Sequence, residues 1–187
     1  MTVGAYAQMP KDKIALQGED SFKAEMFKEF SDTIEDNALY VATTGSDSNA
    51  GTIDKPFATV QKALDTVKAG QTIYVRGGTY NALNSFKTSG SEGKYITLRN
   101  YPNETPFLTC TTGTNGAILL LNGCNYIKIY GLEIGGHSAE QAYGILINDC
   151  ENHIIISNNH IHNLLTTKPG ENENGEANGI LLFGEGK

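Results

Sequence analysis

Four sets of side chains have the types and spacing to do chemistry. Glu171, Glu173 and Glu176, interleaved with Asn172 and Asn174, offer the oxygen donors that a hard cation such as Ca2+ prefers. Their spacing departs from an EF-hand loop, so a solvated acidic loop tip is the competing reading. Lys168, beside Pro169, is the candidate catalytic base or carboxylate contact, against the default of a surface lysine. His137, Glu140, Asn174 and Glu176 are the candidate substrate-binding groups. His160 and His162 share one strand face; two such imidazoles can ligate a metal, but no third ligand is evident beside them. Polar outer-face residues are the alternative there, and Asp149 and Glu151 read as turn residues.

The elements that must position these groups come from a repeat. The segment from Gly116 lies over the segment from Tyr143 at an offset of 27 residues, and Gly179 starts a third copy matching Gly144. Short apolar strands broken by Asn and Gly, repeated at this period, specify a solenoid, because no unit can bury its own apolar face alone. Ile127 with Ile129, Ile145 with Ile147, Ile154 with Ile156 and Ile180 with Leu182 should point inward. The same alignment puts Ile118 on Ile145 and turns Leu119, Leu146 and Leu181 outward. Gly131 and Asn158–Asn159 fall where the strands must turn, and both residue types tolerate left-handed backbone. Gly135 to Tyr143 and Leu164 to Asn178 read as inter-rung loops on one side of the stack, and they carry most of the candidate residues.

Composition narrows the partners. The chain has 187 residues, a net charge of −7 and a pI of about 5.0, and its 14 Lys and Arg are scattered among 21 acids. That argues against nucleic acid, which needs a basic stripe. An acidic sugar polymer would need a local cation. No apolar run approaches the roughly 20 residues of a membrane span. Cys110, Cys124 and Cys150 are odd in number, and Cys124 and Cys150 fall near each other on adjacent rungs. Buried thiols are favoured over a disulfide.

Residues 1–38 form a mixed, acidic amino-terminal segment, read as a pro-segment or loose arm. Ala5-Tyr6-Ala7 fits a signal-cleavage pattern without the regions that should precede it, so a signal remnant competes with chance. Phe22, Met26, Phe30 and Ile34 are spaced as one face of a short amphipathic helix that Asp20 could cap. From residue 39 on, the pattern changes. Tyr40-Val-Ala leads into a polar turn, a helix opens at Pro56 with Phe57, Val60, Leu64 and Val67 on one face, and Gln71 to Tyr80 is a strand that turns at glycines.

This opening, Tyr40 to Thr52 followed by Lys55 to Leu64 and Ala69 to Tyr80, resembles the start of secreted, right-handed parallel β-helix proteins of the pectate-lyase-like superfamily. Its amino-terminal motif is most similar to that of family 9 polysaccharide lyases. The resemblance implies an all-β fold: a right-handed, single-stranded parallel β-helix over 39–187, with an N-terminal capping α-helix from Phe57 to Ala69. It also implies β-elimination on an acidic, uronate-containing polysaccharide, a Ca2+ cofactor held by an Asp cluster, a Lys base, and a secreted or cell-surface location. No matching Asp cluster is found, and the chain stops just after entering a rung. It therefore reads as an amino-terminal portion without turnover of its own. The alternative is a non-catalytic glycan-binding or cell-surface module on the same scaffold.

Overall fold

A computed structural model describes residues 34–150, 153–168 and 175–184. The helix expected from Ser21 and the pattern at Ala5–Ala7 lie outside the described residues, as do Glu171, Glu173 and Asn174.

The described chain winds through parallel strands in a repeating three-strand coil. The first coil is β2 (Thr72–Val75), β3 (Gly78–Asn81) and β4 (Asn84–Phe86); the second is β5 (Ile96–Asn100), β6 (Pro106–Thr109) and β7 (Gly116–Asn122). The third is β8 (Ile127–Tyr130), β9 (Glu133–Ala139) and β10 (Gln141–Asn148); the fourth is β11 (Ile154–Ser157), β12 (His160–Thr166) and β13 (Glu176–Phe183). Each position in the coil builds one sheet. Sheet 1 is β1 (Leu39–Val41) followed by β2, β5, β8 and β11; sheet 2 is β3, β6, β9 and β12; sheet 3 is β4, β7, β10 and β13.

Inward side chains stack in columns between the sheets. Ile96, Ile127 and Ile154 form one column, Leu98, Ile129 and Ile156 a second, and Leu108, Ile134 and Ile161 a third. All but those of the fourth coil are completely buried, as apolar runs in parallel sheets require. Truncating one such Ile to Ala costs about 2–5 kcal/mol.

Corners are left-handed where the repeat placed Gly and Asn. Gly131 has φ +69° and Asn158 has φ +53° one coil later. Tyr126 (φ +57°) and His153 (φ +61°) open β8 and β11 and stack their rings at 4.4 Å, nearly parallel. Asn159 does the hydrogen bonding expected of a corner asparagine. Its Oδ1 accepts from the Leu132 N–H and its Nδ2 donates to the Ile129 carbonyl of the coil below.

One feature of the register differs from a uniform repeat. β11 sits on β8, and β12 on β9, at 27 residues, with Ile154 over Ile127 and Ile161 over Ile134. β10 sits on β7 at 26, with Ile145 over Leu119 and Asn148 over Asn122. The corner after β10 therefore holds one more residue than the corner after β7. Leu119 is consequently buried rather than outward, and the outward Leu column is Leu120, Leu146 and Leu181.

The segment from Gly135 to Tyr143 is also strand rather than loop, because β9 continues to Ala139 and β10 begins at Gln141. Leu164 and Leu165 likewise belong to β12. Glycines and a buried histidine in β9 mask its alternation, so this second strand of the coil is hidden in the sequence.

The helix is shorter than the sequence pattern. α1 runs from Val60 to Thr66, with Thr59 as its N-cap: the Thr59 Oγ1 accepts from the Lys62 N–H. Asp47 fixes this end by accepting from the Ala58 and Thr59 N–H groups and the Thr59 hydroxyl. Phe57 precedes the helix, in a parallel bridge to Val41. The helix still covers the open edge of the first coil. The Gln61 side chain accepts from the Ser85 N–H at 2.8 Å and donates to its carbonyl at 3.1 Å, substituting for a neighbouring strand at β4.

Candidate functional site

The corners after β9 and β12 meet where two adjacent coils leave sheet 2. Glu140 is the single residue between β9 and β10, and Lys168 follows β12. Main-chain bonds hold the two corners in register: the Thr167 N–H donates to the Ala139 carbonyl, and the Glu176 N–H and the Thr166 hydroxyl both donate to the Glu140 carbonyl. This stitching brings Lys168 Nζ to 2.8 Å from Glu140 Oε1. The lysine bond holds the Glu140 carboxyl below the usual glutamate range. Gly175 closes the base of the same corner; a Cβ there would fall 2.3 Å from the Lys168 carbonyl oxygen and 2.5 Å from Thr166 Oγ1.

Glu176 sits in the same neighbourhood, in the first position of β13, opposite Gln141. Its Oε2 accepts a 3.0 Å bond from the Tyr143 hydroxyl. Burial first, and then the Glu176 carboxylate, push the Tyr143 phenol above its ordinary value. Glu140, Lys168 and Glu176 are thus brought together on one wall, with Tyr143 added. Among the four, the Lys168 ammonium keeps spare hydrogens for an incoming oxygen, whereas the single Tyr143 hydroxyl hydrogen is already given to Glu176.

His137 does not join this wall. It has no exposed surface, and its imidazole bridges two main-chain carbonyls, Cys110 O at 2.9 Å from Nδ1 and Gly116 O at 3.1 Å from Nε2. Its partner in the next coil is Leu164, an inward position, so the side chain fills the coil interior and ties the segment from Cys110 to Gly116 to β9.

The outer face of sheet 2 carries a second arrangement. His160 pairs in register with Glu133, and His162 with Gly135. His162 Nε2 lies 2.9 Å from Glu133 Oε1. The two imidazoles stack at 4.5 Å, and Phe107 lies parallel to His162 at 5.8 Å. Glu133 is the neighbour that the histidine pair lacked in the sequence. The signal was present, since Glu133 stands one 27-residue repeat before His160.

Calcium finds no fitting set among the described residues, which leave out Glu171 and Glu173. Among the described residues, the group of His, Cys, Asp or Glu side chains close enough to share an ion is Glu133, His160 and His162, and two imidazoles are poor partners for a hard, oxygen-seeking cation. The cysteines are free; Cys110 and Cys124 are buried. Among the described residues no helix is long and apolar enough to cross a membrane.

Residues 39–182 match the family model of the Pel9A-like, right-handed β-helix region. The chain is 37% identical over 145 residues to the uncharacterized protein YwoF of Bacillus subtilis, covering 73% of this chain and 31% of that protein. It is 30% identical over 162 residues to the pectate lyase PEL9 of Emericella nidulans, covering 79% of this chain and 36% of the lyase. It therefore spans about a third of the length of these curated relatives. Among solved structures, the GH136 lacto-N-biosidase of Eubacterium ramulus superposes with a TM-score of 0.60 at 18% identity, over 87% of this chain and 32% of that one. This last likeness bears on the fold alone.

Proposed function

Because the chain belongs to the Pel9A-like, right-handed β-helix family, we propose that the protein of which these coils form part acts by β-elimination on an acidic, uronate-containing polysaccharide. The observation that carries this reading is the sequence identity to a pectate lyase, which spans most of the chain. The wall of Glu140, Lys168, Tyr143 and Glu176 is compatible with it. β-Elimination requires a cation against the uronate carboxylate, so that the adjacent C–H becomes acidic, and a base to take that proton. In this reading Lys168 leaves its resting partner Glu140 and offers its ammonium to the sugar carboxylate. The Tyr143 hydroxyl, whose hydrogen is held by Glu176, is an acceptor for a sugar hydroxyl.

A complete elimination centre needs more than this wall. Ca2+, which would neutralise the uronate carboxylate, belongs to the proposal only for the whole protein, with Glu171 and Glu173 as candidate ligands alongside Glu176. A secreted or cell-surface location follows from the same reading, since the polymer lies outside the cell. The second reading, a non-catalytic glycan-binding module, draws on the stack of half-buried Phe107 and His162 with exposed His160, against which a sugar ring could lie.

The test is an assay of the full-length protein and of the 187-residue chain against polygalacturonate, with and without Ca2+, following unsaturated product by ultraviolet absorbance. The full-length protein should form product, and the shorter chain should bind polymer without turnover. Binding without product by the full-length protein would replace the lyase reading with the module.

A further inference from the structure

We propose that Glu133, His160 and His162 form a zinc site on the outer face of sheet 2, clasping the third coil to the fourth. The ligand atoms, one from each side chain, all lie within 4.8 Å of one another. Two imidazole nitrogens and one carboxylate oxygen suit a borderline cation such as Zn2+, which takes such ligands at about 2.0–2.2 Å.

The platform beneath these groups is rigid. His160 and His162 alternate with inward Ile161 on β12, so both project from one face of a parallel ladder. Glu133 stands directly beside His160 on β9. Gly135, opposite His162, clears the surface between them: a Cβ there would fall 2.1 Å from the His162 carbonyl oxygen and 3.4 Å from the ring. Phe107 backs the His162 ring from the second coil. His162 is already drawn to Glu133 at 2.9 Å, so closure onto an ion is a rotation of the exposed His160 side chain.

Three protein ligands leave a fourth position to water or to an oxygen of a bound molecule. The site is separate from the wall of Glu140 and Lys168 and stands whether or not the protein is a lyase. Its residues also differ in kind from calcium ligands, so Zn2+ and Ca2+ should not compete for it.

The test uses the 187-residue chain, untagged and stripped of metal, titrated with Zn2+ by calorimetry and with Co2+ by visible absorbance. One Zn2+ per chain should bind. His160→Ala and His162→Ala should each weaken it on the order of tenfold or more, and Glu133→Gln should weaken it too. Co2+ should give tetrahedral d–d bands without a thiolate charge-transfer band, and Cys124→Ser with Cys150→Ser should leave binding unchanged. Far-ultraviolet circular dichroism checks that each variant folds. Absence of saturable Zn2+ binding to the parent chain would overturn the proposal. So would binding retained when both histidines are replaced, or a thiolate band placing the metal at Cys124 and Cys150.

Discussion

Arg76 and Glu104 clamp the first corner of one coil to the matching corner of the next. The Arg76 Nε donates to both carboxylate oxygens, at 2.8 and 3.0 Å, and Nη2 lies 2.7 Å from Oε1. The Gly77 N–H donates to the same carboxylate, and the guanidinium lies 4.4 Å above the Tyr101 ring centre. A bidentate pair with an added main-chain donor is stronger than an isolated surface ion pair.

The clamp makes stability depend on pH. The Arg76 bond holds the Glu104 carboxyl below its ordinary range. A depressed carboxyl stabilises the fold above its unfolded-state value, and that contribution disappears as pH falls through the folded value. Glu104→Gln should lower the melting midpoint at neutral pH by about 2–4 °C, corresponding to roughly 1 kcal/mol for a partly exposed pair. The difference from the parent should shrink as the pH is taken below the ordinary glutamate range. A midpoint gap that stays constant into acid would show that the carboxylate charge is not what stabilises the corner.

His137 should tolerate no apolar replacement. His137→Leu removes the imidazole N–H from between the Cys110 and Gly116 carbonyls inside the coil, at a cost of about 1–3 kcal/mol for a buried acceptor left unmet. Urea unfolding followed by circular dichroism should show an earlier midpoint. An unchanged midpoint would mean that the imidazole is not the bridge described.

Gly131→Ala meets two obstacles. The backbone is left-handed there, at φ +69°, and a Cβ would come 2.1 Å from Asn100 Oδ1. A loss of about 1–3 kcal/mol is expected. Asn100→Ala in the same chain should recover the steric part and leave the backbone part. In contrast, Asn158→Gly, at the same corner one coil on, should be far milder, and paired urea titrations compare the two directly.

Lys168→Ala should weaken binding to polygalacturonate while leaving the melting midpoint where it was, because the Glu140–Lys168 pair is solvent-facing and contributes little to folding. Equal polymer affinity in parent and variant, measured by calorimetry, would remove Lys168 from the proposed glycan contacts.

The thiols should be slow to react in the folded chain. Burial pushes the Cys124 and Cys150 thiols above their usual value, with the Cys150 charge adding to the effect at Cys124. Less thiolate is then present at neutral pH. Thiol titration should give a lag that disappears on unfolding; prompt native reaction at Cys124 would contradict its burial.

The inward columns were legible because β8, β10 and β11 each keep Ile at alternate, inward positions: Ile127 with Ile129, Ile145 with Ile147, and Ile154 with Ile156. Sheet 2 was hidden because β9 interrupts that alternation with Gly135, Gly136 and a histidine turned inward. One offset applied to every strand misplaced Leu119, since a solenoid keeps register strand by strand and not along the chain. The site divided in the same way. Glu140, Lys168 and Glu176 were found by residue type, and the corners bring them together. His137 has the right chemistry for a glycan contact, but its place on β9 faces it inward. Glu133 was missed because it is distant in sequence from His160, although the repeat itself pairs the two positions.

The extra residue in the corner after β10 has a wider consequence. Within a strand, a one-residue slip would turn every inward side chain outward. At this corner the same addition is absorbed before β11 begins, and Ile154 still lands on Ile127. Corners thus act as expansion joints: the chain can gain or lose a residue there while the columns on either side keep their phase. Successive coils are free to diverge in length and surface chemistry over an interior that stays the same.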